Sequence, residues 1–194
     1  LARVLPPLSF AGFECRLAAD RPRVDLQINL TRARVRFPVD LLADPVWIFL
    51  DRLTGEWVDP RSDLYRHLNG IFMEFDLDEP PLPVPVPSLF FALRDGLNSA
   101  YIVLDRLAEL LRQGADHAST LTRRVSDLPP GAELANLGVM LARSPPVVRA
   151  RVTGLRVADV ADTLDAQPGP THKGRRAVLE LAERADAVAV LLDT

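Results

Sequence analysis

A four-residue motif, Arg-Ala-Arg-Val, occurs at residues 32–35 and again at residues 149–152. The same offset in sequence relates Asp76 to Asp193, and each of these aspartates ends an apolar run. Around both copies of the motif, apolar and polar residues alternate, which is the pattern of a β-strand with one buried and one exposed face. The repeated motif therefore predicts an internal duplication of a strand-helix-helix-strand unit.

Hydrophobic periodicity extends this interpretation to the rest of the chain. Apolar residues spaced by three and four indicate helices, and a period of two indicates strands. The predicted helices are residues 45–53, a short helix after Ser62, 96–114, 115–125, 132–141, 157–164 and 175–184. The predicted strands are residues 24–30, 33–37, 71–77, 88–93, 148–153 and 187–192, the last of them in the centre of the sheet. We expect an α+β fold, with a mostly antiparallel sheet and helices packed on one face.

The length of the chain fits one domain. About half of the 194 residues are apolar, enough to enclose one core, so we expect a single domain over residues 1–194. Residues 1–87 and 147–194 would be its sub-halves, joined by a proline-rich and helical connector at residues 80–146. The connector begins with five prolines in residues 80–87, which favour an extended backbone.

Charge and cysteine content argue against several functional classes. The formal net charge of −3 speaks against a nucleic-acid binder, which is usually strongly basic. No apolar run reaches the ~18 residues that a membrane span requires. Cys15 is the only cysteine, which fits a reducing cytoplasm. Lys173 is the only lysine among 23 cationic residues, and this preference for arginine is typical of a GC-rich bacterial genome.

Arginines line the polar side of both copies of the repeated motif. They are Arg32, Arg34 and Arg36 in the first predicted strand and Arg149 and Arg151 in the second. If the two strands are neighbours in one sheet, five guanidinium groups share a face that could bind a carboxylate, a phosphate or an acidic partner. The alternative is a solvated face whose arginine stems cover apolar surface.

Two carboxylates lie on one side of the predicted strand 71–77. Glu74 and Asp76 are two residues apart, so their side chains share a face. Such a pair could act as general acid and general base or hold a hard cation. It could equally neutralise the arginine face.

A basic loop precedes the last predicted helix. It contains His172, Lys173, Arg175 and Arg176, close to a helix N-terminus, where backbone donors favour anions. The loop lacks the Lys-Ser/Thr pair of a phosphate-binding P-loop and the apolar strand that precedes one. A simple contact to phosphate or carboxylate is the remaining functional interpretation, against a solvated charged loop.

No catalytic, metal or cofactor motif is present in the sequence. The three histidines lack the spacing of a metal pair, and no dinucleotide-binding or nucleophile-elbow motif occurs. The leading hypothesis is a non-catalytic binding or accessory protein for an anionic small molecule or a protein partner. The second is an enzyme that uses Glu74 and Asp76 on an anionic substrate, and the third is a structural homodimer joined through an apolar strand edge. We expect no cofactor, metal, nucleic acid or membrane.

Overall fold

A computed structural model describes residues 8–16, 23–77, 85–111, 114–141, 143, 145–165, 176, 179–180 and 188–193. Its helices are α1 (Pro45–Val58), α2 (Asp63–His67), α3 (Gly96–Leu111), α4 (Gly114–Ser126) and α5 (Val157–Asp165), with a 3₁₀ turn at Leu41–Ala43. Its strands are β1 (Leu8–Arg16), β2 (Arg23–Leu30), β3 (Leu68–Asp76), β4 (Ser88–Leu93), β5 (Glu133–Met140), β6 (Val147–Leu155) and β7 (Val188–Asp193).

The seven strands form one antiparallel sheet whose spatial order is the order of the chain, from β1 to β7. Helices connect β2 to β3, β4 to β5 and β6 to β7. The predicted fold class, an α+β protein with an antiparallel sheet, is confirmed. The internal duplication is not confirmed, because the first Arg-Ala-Arg-Val copy lies in a loop and the second lies in β6.

One face of the sheet forms the hydrophobic core together with the helices. Ile28, Met73, Leu89, Val139 and Val148 are cross-strand neighbours on this face, and none of them is exposed to solvent. The same cluster contains buried residues from the helices, namely Trp47, Leu50, Leu53, Trp57, Val103, Leu107, Leu121 and Val160. The helices therefore cover this one face of the sheet, as predicted.

The start of α1 follows directly from the sequence. Asp44 has extended backbone and accepts a hydrogen bond from the backbone N–H of Val46 at 2.8 Å, with Pro45 as the first helical residue, which is a favourable N-terminal cap. The predicted end at Leu53 is wrong, since α1 continues to Val58. Leu53 and Trp57 are both buried, and their spacing of four keeps Trp57 on the helix face that packs into the core.

Two predicted elements have a different secondary structure. Residues 33–37 form a loop instead of a strand; Val35 and Phe37 are nevertheless buried, so an extended loop with two residues in the core reproduces a strand-like alternation. Residues 132–141 form β5 instead of a helix. The pairing with β6 shifts register between Leu134 and Asn136. This irregularity allows Leu134 and Leu137 to be buried together although they are three residues apart, which is the spacing of a helix face.

The edges of the sheet also differ from the prediction. β7 is an edge strand that pairs with β6, so its predicted central position is wrong. β1, for which no strand was predicted, forms the opposite edge. The proposed connector, residues 80–146, contributes the central strand β4 and its neighbour β5, which makes it part of the same core as the two proposed sub-halves. The predicted helix 175–184 falls mostly outside the described residues.

Candidate functional site

Between β2 and β6, the face of the sheet opposite the helices carries the polar residues of the strands and two phenylalanines. We call it the open face; its residues, from β2 to β6, include Gln27, Asn29, Gly70, Phe72, Glu74, Ser88, Phe90, Ala92, Asn136, Gly138, Arg149 and Arg151. None of these residues belongs to the core shared with the helices. The open face therefore lies outside the hydrophobic core that the sheet shares with the helices.

The centre of the open face is an aromatic platform. Phe72 and Phe90 are cross-strand partners, and Phe90 is in turn the partner of Gly138. A Cβ added to Gly138 would lie only 2.5 Å from Cε1 of Phe90, and one added to Gly70 would lie 3.3 Å from Cε2 of Phe72. The ring of Phe90 thus lies across the backbone of Gly138, and Phe72 packs against Gly70. Both phenylalanines are half-buried.

Two arginines border this platform on β6. Arg149 is the cross-strand partner of Gly138, and Arg151 is the partner of Asn136. Nη1 of Arg151 donates a hydrogen bond to Oδ1 of Asn136 at 3.1 Å. Arg151 is exposed and Arg149 half-buried, whereas Val148, Ala150 and Val152 are buried on the opposite face. The predicted orientation of Arg149 and Arg151 away from the core is therefore observed.

Three carboxylates occupy the other border of the open face. Asp25 and Asp76 are cross-strand partners, and Glu74 lies two residues before Asp76 in β3, on the same face. One carboxylate oxygen of each lies within 4.8 Å of the others. Asp25 and Glu74 are buried and Asp76 is exposed, and none of the three is without an interaction partner. Glu74 and Asp76 were candidates from the sequence; Asp25 was not, because its proximity depends on the register of β2 against β3.

The first predicted arginine group is not brought together with the second. Arg32 lies in the loop after β2, with its guanidinium carbon 3.9 Å from the ring centre of Tyr65 and 5.5 Å from that of Trp57. It donates hydrogen bonds to the backbone carbonyls of Trp57, Tyr65 and Leu68. These contacts join the loop to the ends of α1 and α2, in the helical layer. Arg34 and Arg36 are exposed in the same loop.

The predicted basic loop lies largely outside the described residues, which exclude His172, Lys173 and Arg175. Arg176 is described and exposed; its Nε donates a hydrogen bond to Oε1 of Glu180 at 2.9 Å. This contact is an ion pair between residues four apart on a helix, the spacing at which opposite charges support helix formation.

A polar cleft of about 550 Å³ lies on the helical side, lined by Glu56, Asp59, Arg61, Ser62, Asp63 and Arg106. No residue predicted from the sequence to form a site lines it. Its charges are already paired: Arg106 contacts Glu56 and Arg61 contacts Asp59, while Asp63 contacts Arg66, which lies outside the cleft. Hydrogen bonds from the side chain and the backbone of Arg61 hold the pKa of Asp59 below its ordinary value. This internal pairing explains the cleft without a ligand.

The aromatic platform was not predicted from the sequence. Large apolar residues in strands, such as Phe72 and Phe90, are usually buried and are typical of a core. The available signal was Gly138, a glycine inside an apolar strand, which often marks the close approach of another group to the backbone. That signal was lost because residues 132–141 were interpreted as a helix.

Comparisons of the chain with protein-family models, with curated proteins and with solved structures found no match. Among the described residues, no helix is long and apolar enough to cross a membrane. The functional argument therefore depends on the geometry of the open face.

Proposed function

We propose that the protein is a non-catalytic binding protein whose open face takes an anionic small molecule with a flat apolar body. The observation that carries this proposal is the position of Phe90, whose half-buried ring lies across Gly138, next to the strand that bears Arg149 and Arg151. A flat apolar group could stack on the aromatic platform while a guanidinium group contacts its negative charge.

Charge complementarity decides which ligand fits this surface. A guanidinium group carries five N–H donors in a fixed plane, and the described contacts of Arg151 engage one of its nitrogens, through Asn136. The exposed side of Arg151 can therefore contact a carboxylate, sulfonate or phosphate. The three carboxylates at the other border would repel a second negative charge, so the proposal favours a ligand with its anionic group at one end.

The carboxylates Asp25, Glu74 and Asp76 motivated the alternative hypothesis of an enzyme. Their mutual proximity suits acid–base chemistry or a hard cation, but each of the three already has an interaction partner. Two of them are also buried, which limits access for a substrate. The aromatic platform and Arg151 are more accessible, and for this reason we prefer a binding function.

Two fluorescent probes that differ in charge test the proposal. Anilinonaphthalene sulfonate has an aromatic body and one anionic group, whereas phenylnaphthylamine has the aromatic body alone. We expect Arg151→Gln to weaken binding of the sulfonate by about tenfold, the effect of losing one charge-assisted contact, and to leave binding of the uncharged probe unchanged. Phe90→Ala should weaken binding of both probes.

Matched controls separate the open face from general surface effects. Arg123→Gln removes an exposed arginine from α4, in the helical layer, and Ile48→Ala removes an exposed apolar residue from α1; both should bind the two probes like the wild type. The proposal is wrong if Arg151→Gln leaves the affinity for the sulfonate unchanged, or if Arg123→Gln weakens it equally. Native mass spectrometry of the purified protein would identify a natural ligand retained on this face.

A further inference from the structure

A second surface of the molecule, the edge strand β1, points to an interaction that is independent of the open face. β1 is the outermost strand on one side of the described sheet and pairs with β2. An outermost strand has backbone N–H and C=O groups along its outer side, where another strand can add. Natural edge strands are commonly protected by proline, lysine, a β-bulge or very short length. β1 has nine residues and neither proline nor lysine, and its one irregularity lies at its start, between Leu8 and Phe10.

The side chains of β1 strengthen this interpretation. Phe10 is 60% exposed and Phe13 is 72% exposed, and they lie on opposite faces of the strand. Phe13 pairs with Leu26, on the face that carries the core, while Phe10 pairs with Asn29, on the open face. A strand added to the outer side of β1 would contact both phenylalanines, one on each face, and would remove apolar surface from water.

We propose that β1 is a homodimerisation strand, which pairs antiparallel with β1 of a second copy across a twofold axis perpendicular to the sheet. Such an axis keeps the helices of both copies on one side and opposes residues that share a face. The pairing of β1 with β2 is irregular between Leu8 and Phe10 and regular from Phe10 onward. With the axis at Gly12, the regular residues from Phe10 to Glu14 are paired symmetrically.

The sequence of β1 suits this central register. Phe13 stands opposite Ala11 of the second copy, so a small side chain leaves room for the ring, and the two Phe13 rings are diagonal neighbours within reach of each other. On the other face, Phe10 lies over Gly12 of its own strand, whose added Cβ would be 3.0 Å from the ring.

Cysteine cross-linking tests both the dimer and its register. In this register Gly12 of one copy stands opposite Gly12 of the other. The α-carbons of directly opposed residues in an antiparallel pair are close enough for a disulfide to join them. In a Cys15→Ser background, Gly12→Cys should form a covalent dimer under mild oxidation. Val39→Cys, in an exposed loop, is the control and should form no covalent dimer. Equal cross-linking of both variants, or none with Gly12→Cys, would overturn the proposed register.

The dimer itself is measured by sedimentation equilibrium over a range of concentrations. The wild type should approach twice its 21.4 kDa mass, and Phe13→Asp should weaken dimerisation roughly tenfold or more, because it places a charge in an apolar contact. Val39→Asp, which also adds a charge at an exposed apolar residue, should dimerise like the wild type. A wild type that stays monomeric at every concentration, or a Phe13→Asp variant that still dimerises fully, refutes the proposal. Circular dichroism of each variant shows whether the fold is retained, and the outcome does not depend on the probe-binding result.

Discussion

Phe90 and Gly138 form a contact in which an aromatic ring replaces the side chain that glycine lacks, since an added Cβ would lie 2.5 Å from the ring. The nearest atoms to that Cβ all belong to Phe90, so this one side chain occupies the space beside Gly138. This contact determines where the aromatic platform presents its ring.

The first prediction concerns this pair. Gly138→Ala should lower the free energy of unfolding by about 1–3 kcal/mol, the usual cost of overpacking, because the Phe90 ring has to move. In a Phe90→Ala background the same change should cost little, since the space is then empty. Urea unfolding of the four proteins gives the coupling energy. Additive effects would contradict the described contact.

A second prediction separates Arg32 from its neighbours in the loop. Arg32→Met should destabilise the protein by about 1–2 kcal/mol, because it removes the cation–π contacts with Trp57 and Tyr65 and the hydrogen bonds to backbone carbonyls. Arg32→Lys should recover only part of this loss, since lysine lacks the planar fork. Arg34→Met is the control and should change the stability by no more than ~0.5 kcal/mol. The midpoints of denaturant unfolding of the three variants check the predicted order of stabilities.

A third prediction concerns the attachment of the segment before β4. Trp47 is fully buried, and its Nε1 donates a hydrogen bond to the carbonyl of Pro85 at 2.9 Å. Trp47→Phe should destabilise the protein by about 1–3 kcal/mol, through the lost hydrogen bond and the smaller ring. Thermal unfolding and near-ultraviolet circular dichroism measure the loss. An unchanged midpoint would mean that this hydrogen bond contributes nothing.

The fourth prediction is a pH dependence at the start of α5. Asp159 accepts hydrogen bonds from the guanidinium and the backbone N–H of Arg156, and the side-chain contact is the main reason that its pKa is lowered from 3.8. A carboxyl with a lowered folded-state pKa stabilises the fold above its unfolded pKa and loses this effect as the pH falls through the folded value.

Asp159→Asn should therefore lower the melting temperature by a few degrees at neutral pH. The difference from the wild type should shrink as the pH falls below 3.8. Melting curves recorded between neutral pH and about pH 3 check this. Asp162→Asn, at an exposed position of the same helix, serves as the matched control. A deficit that persists undiminished at the lowest pH would contradict a charge-dependent role.

Strands with strict alternation were predictable from the sequence alone. In β6, Val148, Ala150 and Val152 are apolar and buried, so the orientation of Arg149 and Arg151 followed from their position between them. β5 was not predictable in the same way. Its irregular pairing with β6 allows Leu134 and Leu137, three residues apart as on a helix face, to be buried together. The alternation of apolar and polar residues in the sequence results from burial and not from hydrogen bonding. For this reason the loop containing the buried residues Val35 and Phe37 has the same sequence pattern as a strand.

The candidate site was predictable only in part for a related reason. The contact between Phe90 and Gly138 and the approach of Asp25 to Glu74 depend on the register between strands that are distant in sequence. Periodicity reports the face on which a residue lies, but it carries no information on its cross-strand partner.

The chain-ordered sheet has a consequence for how the protein is built during synthesis. Each strand from β2 to β7 pairs with the strand made immediately before it, so no strand has to enter between two that are already joined. The sheet can therefore grow one strand at a time at a single advancing edge as the ribosome delivers the chain.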